Sequence, residues 1–224
     1  NKRLVNSIDI IYSPQEAHWV GWTIFVIMVI GVLGKCFSPT WLIESGRAIF
    51  SQNERAYLDN TQGLFRKLLQ FLFCYSIISL AIYLLVYEQG PAYMLLYLKI
   101  FLLVIVCSLI KTALTYFVCY IFELQKTYNN YYIHYKNLQT LCCTLLYPAL
   151  LISVNYDFPM VMYIYTLVVY VVYLLCLIVR IYSIMTSGTP LSILYILLYI
   201  VCLEVIPMLF ILSISKDLSI TSIS

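Results

Sequence analysis

The sequence predicts an all-α polytopic membrane protein, a bundle of about six transmembrane helices with one amphipathic helix at the membrane surface. Of the 224 residues, 63% are hydrophobic and 10% are charged, and the mean hydropathy is +0.92. Apolar runs of about 20 residues, the length that crosses a bilayer as a helix, recur along the whole chain. Runs such as "IFLLVIVCSLI" do not alternate polar and apolar residues, so a β-barrel is not expected.

Six predicted spans follow from the charges, prolines and glycines that interrupt the apolar runs. Nothing long enough for a soluble domain remains, so residues 1–224 are expected to form a single integral membrane domain. The first run is longer than the core of a signal peptide and is followed by Lys35, so we expect it to stay in the protein. The predicted spans are Ala17 to Phe37, Phe65 to Tyr87, Ala92 to about Glu123, Leu138 to Asn155, Met160 to about Met185, and Pro190 to about Ile214.

The polar segment between the first two spans, residues 38–60, is predicted to form an amphipathic helix. Ser38 can cap its first turn, which holds Pro39. Arg47 and Arg55 share a polar stripe opposite an apolar one. We expect this helix to lie on the cytoplasmic leaflet, where the two arginines contact anionic lipid headgroups. Docking of a cytoplasmic partner on the same helix is the alternative.

A second polar segment, "KTYNNYYIHYKN", belongs to a predicted cytoplasmic connection over residues 124–137. Tyrosine is favoured at the membrane boundary because its ring is apolar and its hydroxyl is hydrated, and the chain has 22 tyrosines. We therefore interpret the segment as interfacial and not as a recognition loop. His134 is expected to be an interfacial hydrogen-bonding residue and not a catalyst or a metal ligand.

Lysine and arginine predict the orientation, because they collect on the cytoplasmic side. Of the 13 in the chain, eight lie in or beside the connections after spans one, three and five, three lie on the opposite side, and two lie within span three. Both termini are therefore expected outside the cytoplasm. The eight are Lys35, Arg47, Arg55, Arg66, Lys67, Lys126, Lys136 and Arg180, the three are Lys2, Arg3 and Lys216, and the two are Lys99 and Lys111.

Sequence motifs for catalysis are missing. The chain has no GxSxG, no HExxH and no glycine-rich phosphate loop, and only two histidines are present. The eight cysteines lie in or beside predicted spans without CxxC spacing, so neither a metal site nor a cofactor is expected. The net charge of +3 is explained by the cytoplasmic excess of lysine and arginine, so nucleic-acid binding is not expected. We expect a protein that is not an enzyme.

Glu204 is the acidic residue that needs an explanation, because a carboxylate near the bilayer centre costs about 2.5–3.5 kcal/mol on insertion scales. It lies about 15 Å from the outer end of span six, and Lys99 lies about 10 Å from the outer end of span three, so Lys99 is its first candidate partner. A neutral Glu204 bonded to a neighbouring helix is the alternative. Pro207 frees backbone carbonyls in the same turn and predicts a kink. A structural role for Glu204 is favoured over transport or proton relay.

Two further basic residues of the spans reach the cytoplasmic boundary. Lys111 lies about 28 Å, and Arg180 about 30 Å, from the outer ends of their spans. Together with Arg47 and Arg55 they are predicted to contact a lipid phosphate or a partner protein.

Several motifs together resemble a known family. They are "LLYIVCLEVIPMLFIL" after "CLIVRIYS", Pro148 in span four, and "GRAIFSQNERAYLDN" after span one. In this order they resemble a family of short multi-pass membrane proteins of Bacteroidota known as a domain of unknown function, whose last helix has an LE-x-x-P signature. Leu203, Glu204 and Pro207 match that signature. The resemblance implies a location in the bacterial inner membrane.

Two hypotheses for function follow. The first is a non-enzymatic inner-membrane subunit or scaffold of a cell-envelope assembly, bound to an integral membrane or envelope protein partner. The alternative is a small carrier of protons, anionic solutes or a lipid phosphate, with Glu204 and Lys99 in the pathway. In the carrier, Lys111 and Arg180 would contact phosphate at the inner boundary.

Overall fold

Six α-helices account for the part of the chain that the computed structural model describes, residues 18–37, 64–86, 94–121, 125–155, 159–185 and 205–221. These ranges contain no strand, so the predicted all-α class is confirmed for them. The helices are α1 (His18–Phe37), α2 (Leu64–Val86), α3 (Met94–Ile121), α4 (Gln125–Asn155), α5 (Pro159–Met185) and α6 (Ile206–Thr221).

Helices α1, α2, α3 and α5 lie where spans one, two, three and five are predicted, within about two residues at each end. Three of them are long and apolar enough to cross a membrane, which is consistent with a membrane location. Their apolar windows are Trp19–Cys36 in α1, Lys67–Val86 in α2 and Met94–Phe117 in α3; shorter apolar stretches are Tyr163–Val179 in α5 and Ile206–Ser215 in α6.

The fourth helix begins 13 residues before Leu138, the predicted start of span four. Helix α4 begins at Gln125 and runs for 31 residues, with Pro148 inside it. Residues 125–137 of the predicted connection are therefore helical. No proline or glycine interrupts the helix before Pro148, and the tyrosines and asparagines are only mildly unfavourable in a helix. The described side chains of this segment, from Tyr132 onwards, pack against α2 and α3, with Lys136 facing Phe71 and Tyr135 facing Lys111. Such tertiary packing outweighs weak helix propensity.

Some predictions fall outside the described residues. They include the amphipathic helix over 38–60 and the first part of span six, with Glu204. Helix α6 begins at Ile206, which puts Pro207 in its first turn, and it continues to Thr221, beyond the predicted end at Ile214. The turn before Pro207 is not described, so the predicted kink is not tested.

Helix α2 is the centre of the bundle. In its apolar window 67% of the residues are buried, compared with 22% in the windows of α1 and α3. It contacts each of the other five described helices. Its buried side chains include Ile77, Leu80 and Tyr83, which pack with Ile27 of α1 and Ile100 of α3 in one apolar core.

Side-chain contacts fix the directions of the helices. Gly31 faces Phe73 and Trp19 faces Tyr83, so α1 and α2 are antiparallel. Other contact pairs in the same way make α2 antiparallel to α3, α4 antiparallel to α5, and α2 parallel to α4. These pairs are Tyr83 with Tyr97 and Tyr75 with Ser108, Tyr165 with Leu145 and Tyr173 with Tyr135, and Gln70 with Thr140 and Cys143 with Cys74.

The surface of the bundle is unlike that of a water-soluble domain, and several polar residues lie within its apolar core. Large apolar side chains are exposed along the outer faces of α1, α3 and α5, whereas amides and hydroxyls are buried inside. Exposed examples are Trp22, Phe25, Leu102, Leu109, Phe117, Leu167, Leu175 and Val179. Buried polar residues are Gln70, Ser76, Ser79, Thr115, His134, Asn137, Gln139, Thr140, Thr166 and Ser215.

Close contact between α1 and α2 depends on Gly31. A Cβ atom built at Gly31 would lie 3.0 Å from Cε2 of Phe73, whereas one at Gly21 would have no neighbour within 4 Å. Small residues at helix contacts let membrane helices approach closely. We therefore expect Gly31→Leu to force the helices apart and to destabilise the protein by about 1–3 kcal/mol, the usual cost of overpacking.

The matched control is Gly21→Leu, which places the same side chain on the exposed face of α1. It should keep or raise the stability, because leucine is the better helix former by about 1 kcal/mol. Unfolding temperatures of both variants in one neutral detergent test this, and equal shifts would contradict the assignment of Gly31 to the contact.

Candidate functional site

A polar cavity lies between α2 and α4, at the end of the bundle where both helices begin. Its volume is about 250 Å³, and three of its lining side chains are aromatic while most of the others are polar. The parallel arrangement of α2 and α4 brings their polar first halves together at this end. The lining residues are Lys67, Gln70, Phe71, Cys74, Tyr75, Tyr132, Ile133, Lys136, Asn137, Gln139 and Thr140.

The inner wall of the cavity is a hydrogen-bond network that joins α2 to α4. Gln70 Nε2 donates to Thr140 Oγ1 at 2.6 Å and to the carbonyl oxygen of Lys136 at 3.5 Å. Thr140 Oγ1 in turn donates to the same carbonyl at 2.9 Å. One turn further in, Cys143 Sγ donates to the carbonyl of Cys74 at 3.6 Å. Because a buried polar group without a partner costs about 1–3 kcal/mol, this network favours one register of the two helices.

Three aromatic rings surround the ammonium group of Lys136. Its Nζ lies 5.5 Å from the centroid of each of Phe71, Tyr75 and Tyr132. This distance is close to the limit of about 6 Å for a cation–π interaction. By contrast, Lys111 of α3 lies directly over Tyr135, with its Nζ 4.0 Å from the ring centroid. Lys136 is therefore held loosely between the rings and faces the cavity, whereas Lys111 is stacked.

Helix α3 supports the cavity wall from behind. Ser108 shares a hydrogen bond with the hydroxyl of Tyr75, and Gln139 of α4 also hydrogen-bonds Tyr75. These contacts fix one of the three rings around Lys136. The position of Tyr75 thus depends on helices α2, α3 and α4 together.

The electrostatics of the cavity are dominated by positive charge. Burial lowers the pKa of Lys136 below its ordinary value; the nearby Cys74 thiol opposes this effect and the positive charge of Lys111 adds to it. Burial also raises the pKa of Tyr132. Among the described residues, none that lines the cavity is acidic. Nine of the ten acidic residues of the chain lie outside the described ranges, and the tenth, Asp217, is near the end of α6.

Lysines gather at this end of the bundle. Lys35 is in the last turn of α1 and Lys67 is in the first turn of α2. Lys111 of α3 and Lys136 of α4 lie at the same level of the bundle. Arg180 is in the last turns of α5, which is antiparallel to α4 and so ends on the same side. The sequence predicts Lys35, Lys67, Lys136 and Arg180 on one side of the membrane and Lys111 within span three, near its boundary on that side. The helix directions bring all five to one end.

The predicted intramembrane pair is only partly described. Lys99 lies near the opposite end of α3 and is exposed, beside the exposed Leu95, Leu98 and Leu102. Glu204 lies outside the described residues, as do Arg47 and Arg55, so a contact of Lys99 with Glu204 is not tested. Pro207 is partly buried.

His134, predicted to be an interfacial hydrogen-bonding residue, is buried within the bundle, and its position relative to a membrane is not tested. It is 4% exposed, because the helix that carries it packs into the bundle. No cluster of three or more histidine, cysteine, aspartate or glutamate side chains that could hold a metal ion occurs among the described residues.

Sequence reasoning missed the roles of Gln70, Asn137 and Thr140. A signal was present, because Gln70 is an amide inside an otherwise apolar span. In addition, Lys136 and Asn137 precede Thr140 by four and three residues, the spacings that make neighbours on a helix. Amides inside membrane helices usually face other helices. The predicted boundary at Leu138 divided these residues between a connection and a span.

Comparison with known proteins gives a family match over most of the chain. Residues 20–214 match the family described as Domain of unknown function (DUF4271). The chain belongs to this family. The match confirms the resemblance to a family of unknown function. No curated protein and no solved structure matches this DUF4271 protein.

The bond between Gln70 and Thr140 can be measured by a double-mutant cycle with Gln70→Leu and Thr140→Val. We expect each variant to be destabilised and their effects to be non-additive by about 0.6–1.7 kcal/mol, the range measured for hydrogen bonds between membrane helices. The free energy of unfolding in detergent micelles gives the coupling. Additive effects would mean that the contact contributes nothing.

His134 predicts a pH-dependent stability. Burial lowers its pKa from 6.5 to about 4, so the unfolded chain binds a proton that the folded chain does not between these values. The free energy of unfolding should therefore fall as the pH is lowered from 6.5 towards 4, by at most about 1.4 kcal/mol per pH unit. Below pH 4 this contribution should stay constant.

Comparison with His134→Gln isolates the contribution of the histidine, since glutamine does not titrate. Unfolding at pH 7.5, 6 and 5 should give a smaller slope for His134→Gln than for the wild-type protein. The same slope in both proteins would show that His134 is not the titrating group.

Proposed function

We propose that this DUF4271 protein is a non-enzymatic multi-pass protein of the bacterial inner membrane that serves as a subunit or scaffold of a cell-envelope assembly. The observation that carries the proposal is the apolar outer surface of the bundle, with large apolar side chains exposed along α1, α3 and α5. Partner binding and envelope assembly extend beyond that observation and are the part to be tested.

The outer surface supports an environment of lipid or of other membrane helices. Exposed apolar side chains run along the length of α1, α3 and α5, and large exposed apolar patches mark membrane or protein interaction surfaces. In hydrocarbon the same surface is favourable, and the buried amides gain internal partners. Membrane subunits use such faces to contact other helices.

The distribution of lysine supports the proposed orientation. Lys35, Lys67, Lys111 and Lys136 lie at one end of the bundle, and lysine-rich ends are retained in the cytoplasm. With six alternating spans, both termini would lie outside the cytoplasm. The cavity between α2 and α4 would then open near the cytoplasmic leaflet.

Purification from native membranes tests the proposal. The tagged protein should resist carbonate extraction, and after mild detergent extraction it should be recovered with a membrane or envelope protein in constant stoichiometry. Outer-face variants can locate the contact: Leu102→Trp on α3 and Leu175→Trp on α5 are matched in size and exposure. We expect one of them to lose the partner while the other retains it.

Glu204→Gln separates the subunit from the carrier. A subunit should retain its partner in this variant, whereas a carrier should remain folded and lose proton or anion flux in proteoliposomes. Recovery of the protein alone, together with a flux that depends on Glu204, would overturn the proposal.

A further inference from the structure

We propose that the cavity between α2 and α4 is a binding site for a phosphate group, in which Lys136 and Asn137 contact the anion and Lys67 lies at the rim. Nothing in the family description assigns such a site, and it does not depend on the protein being a subunit. The phosphate could belong to a lipid headgroup or be free in solution, and the experiment below distinguishes the two.

The ammonium group of Lys136 is placed beside the cavity by aromatic rings. An ammonium group has three N–H donors, and among the described residues Lys136 Nζ contacts only the faces of three aromatic rings. Aromatic faces attract the charge but accept hydrogen bonds poorly. The rings therefore position the ammonium group beside the cavity and leave its donors available to an anion.

Asn137, the next residue of α4, brings a buried side-chain amide to the same cavity. Its side chain is 3% exposed, it lines the same cavity, and its Nδ2 has no hydrogen-bond partner within the described part of the chain. Buried amide groups are normally paired. Since the neighbouring Gln70 and Thr140 satisfy each other, the groups left for a ligand are a cation and an amide donor. Such a pair is suited to an anion with several acceptor oxygens.

Size and charge indicate a phosphate group. A volume of about 250 Å³ is smaller than the pockets of roughly 300–1,000 Å³ that hold drug-sized ligands. It admits a small anion or one headgroup. The positive charge of Lys111 acts on Lys136, and Lys67 also lines the cavity. A phosphate, with up to two negative charges and several acceptor oxygens, would accept hydrogen bonds from the ammonium group of Lys136 and from the amide of Asn137.

The position of the cavity suits either source of phosphate. It lies between the first halves of α2 and α4, in the layer where Lys35 ends α1 and Lys111 stacks on Tyr135. Basic pockets between helices at the cytoplasmic boundary are places where lipid headgroups bind. An opening on that side would also admit free phosphate.

The experiment measures binding to the purified full chain with two probes. Inorganic phosphate is titrated into protein in a neutral detergent and followed by calorimetry. Separately, protein in nanodiscs of phosphatidylcholine is compared with protein in nanodiscs that contain phosphatidylglycerol of the same acyl chains, and retained lipid is counted by native mass spectrometry. Binding of inorganic phosphate indicates a soluble anion, and retention of phosphatidylglycerol alone indicates a lipid headgroup.

Three variants test the residues. Lys136→Gln and Asn137→Asp should each weaken binding by about 10-fold or more, the loss expected for one charge-assisted hydrogen bond or one added repulsion. Lys35→Gln is the matched control, because it removes the same charge from an exposed lysine at the same end of the bundle and outside the cavity. It should change binding by less than about 2-fold, as expected for an exposed charge in high-dielectric surroundings.

Folding is checked separately from binding. Circular dichroism and gel filtration should be unchanged in Asn137→Asp, and Lys136→Arg, which keeps the charge, should retain binding if Lys136→Gln fails to fold. If Lys136→Gln and Lys35→Gln lose the same binding affinity, the anion is attracted by the basic end in general and not by this cavity. That result would overturn the proposal. Failure of both probes to bind the wild-type protein would overturn the proposal as well. This outcome is also expected if a carboxylate of the chain itself occupies the cavity.

Discussion

The hydrogen-bonded contact between α2 and α4 is the interaction on which the rest of the structure depends. Gln70 and Thr140 place two parallel helices side by side, and parallel neighbours require a third helix to return the chain between them. Helix α3 does this and packs against both. In an apolar environment a buried amide without a partner is costly, so the pairing of Gln70 determines where α4 can lie.

Once α2 is fixed at the centre, each other helix has one buried face and one apolar outer face. Helix α1 approaches through Gly31, opposite Phe73, and its far end packs through Trp19 on Tyr83 and Tyr97. These contacts are dispersion and aromatic packing, which remain effective in lipid, whereas burial of apolar surface provides little drive between helices there. The polar network therefore fixes the register of the helices, and the close apolar contacts stabilise their packing.

The two lysines of the cavity region illustrate how surroundings separate similar residues. Lys111 lies 4.0 Å from the ring of Tyr135 and is held by a direct cation–π contact. Lys136, one helix away, is surrounded by three rings at 5.5 Å and borders open volume. Cation–π contacts weaken with distance, so the second arrangement leaves more of the ammonium charge available to a ligand. The difference arises from the packing of α2 against α4 and not from the side chain.

The sequence by itself determined the helical class, the positions of α1, α2, α3 and α5, and the concentration of basic residues on one side. These properties depend on composition, on runs of about 20 apolar residues and on local charge, all of which are local in sequence. Only the tertiary structure decided that α4 begins at Gln125, that His134 is buried, and that Gln70, Lys136 and Asn137 line one cavity. The reason is physical: the position of α4 is set by contacts with another helix. Gln70 bonds to Thr140 and to the carbonyl of Lys136, which are 66 to 70 residues distant along the chain.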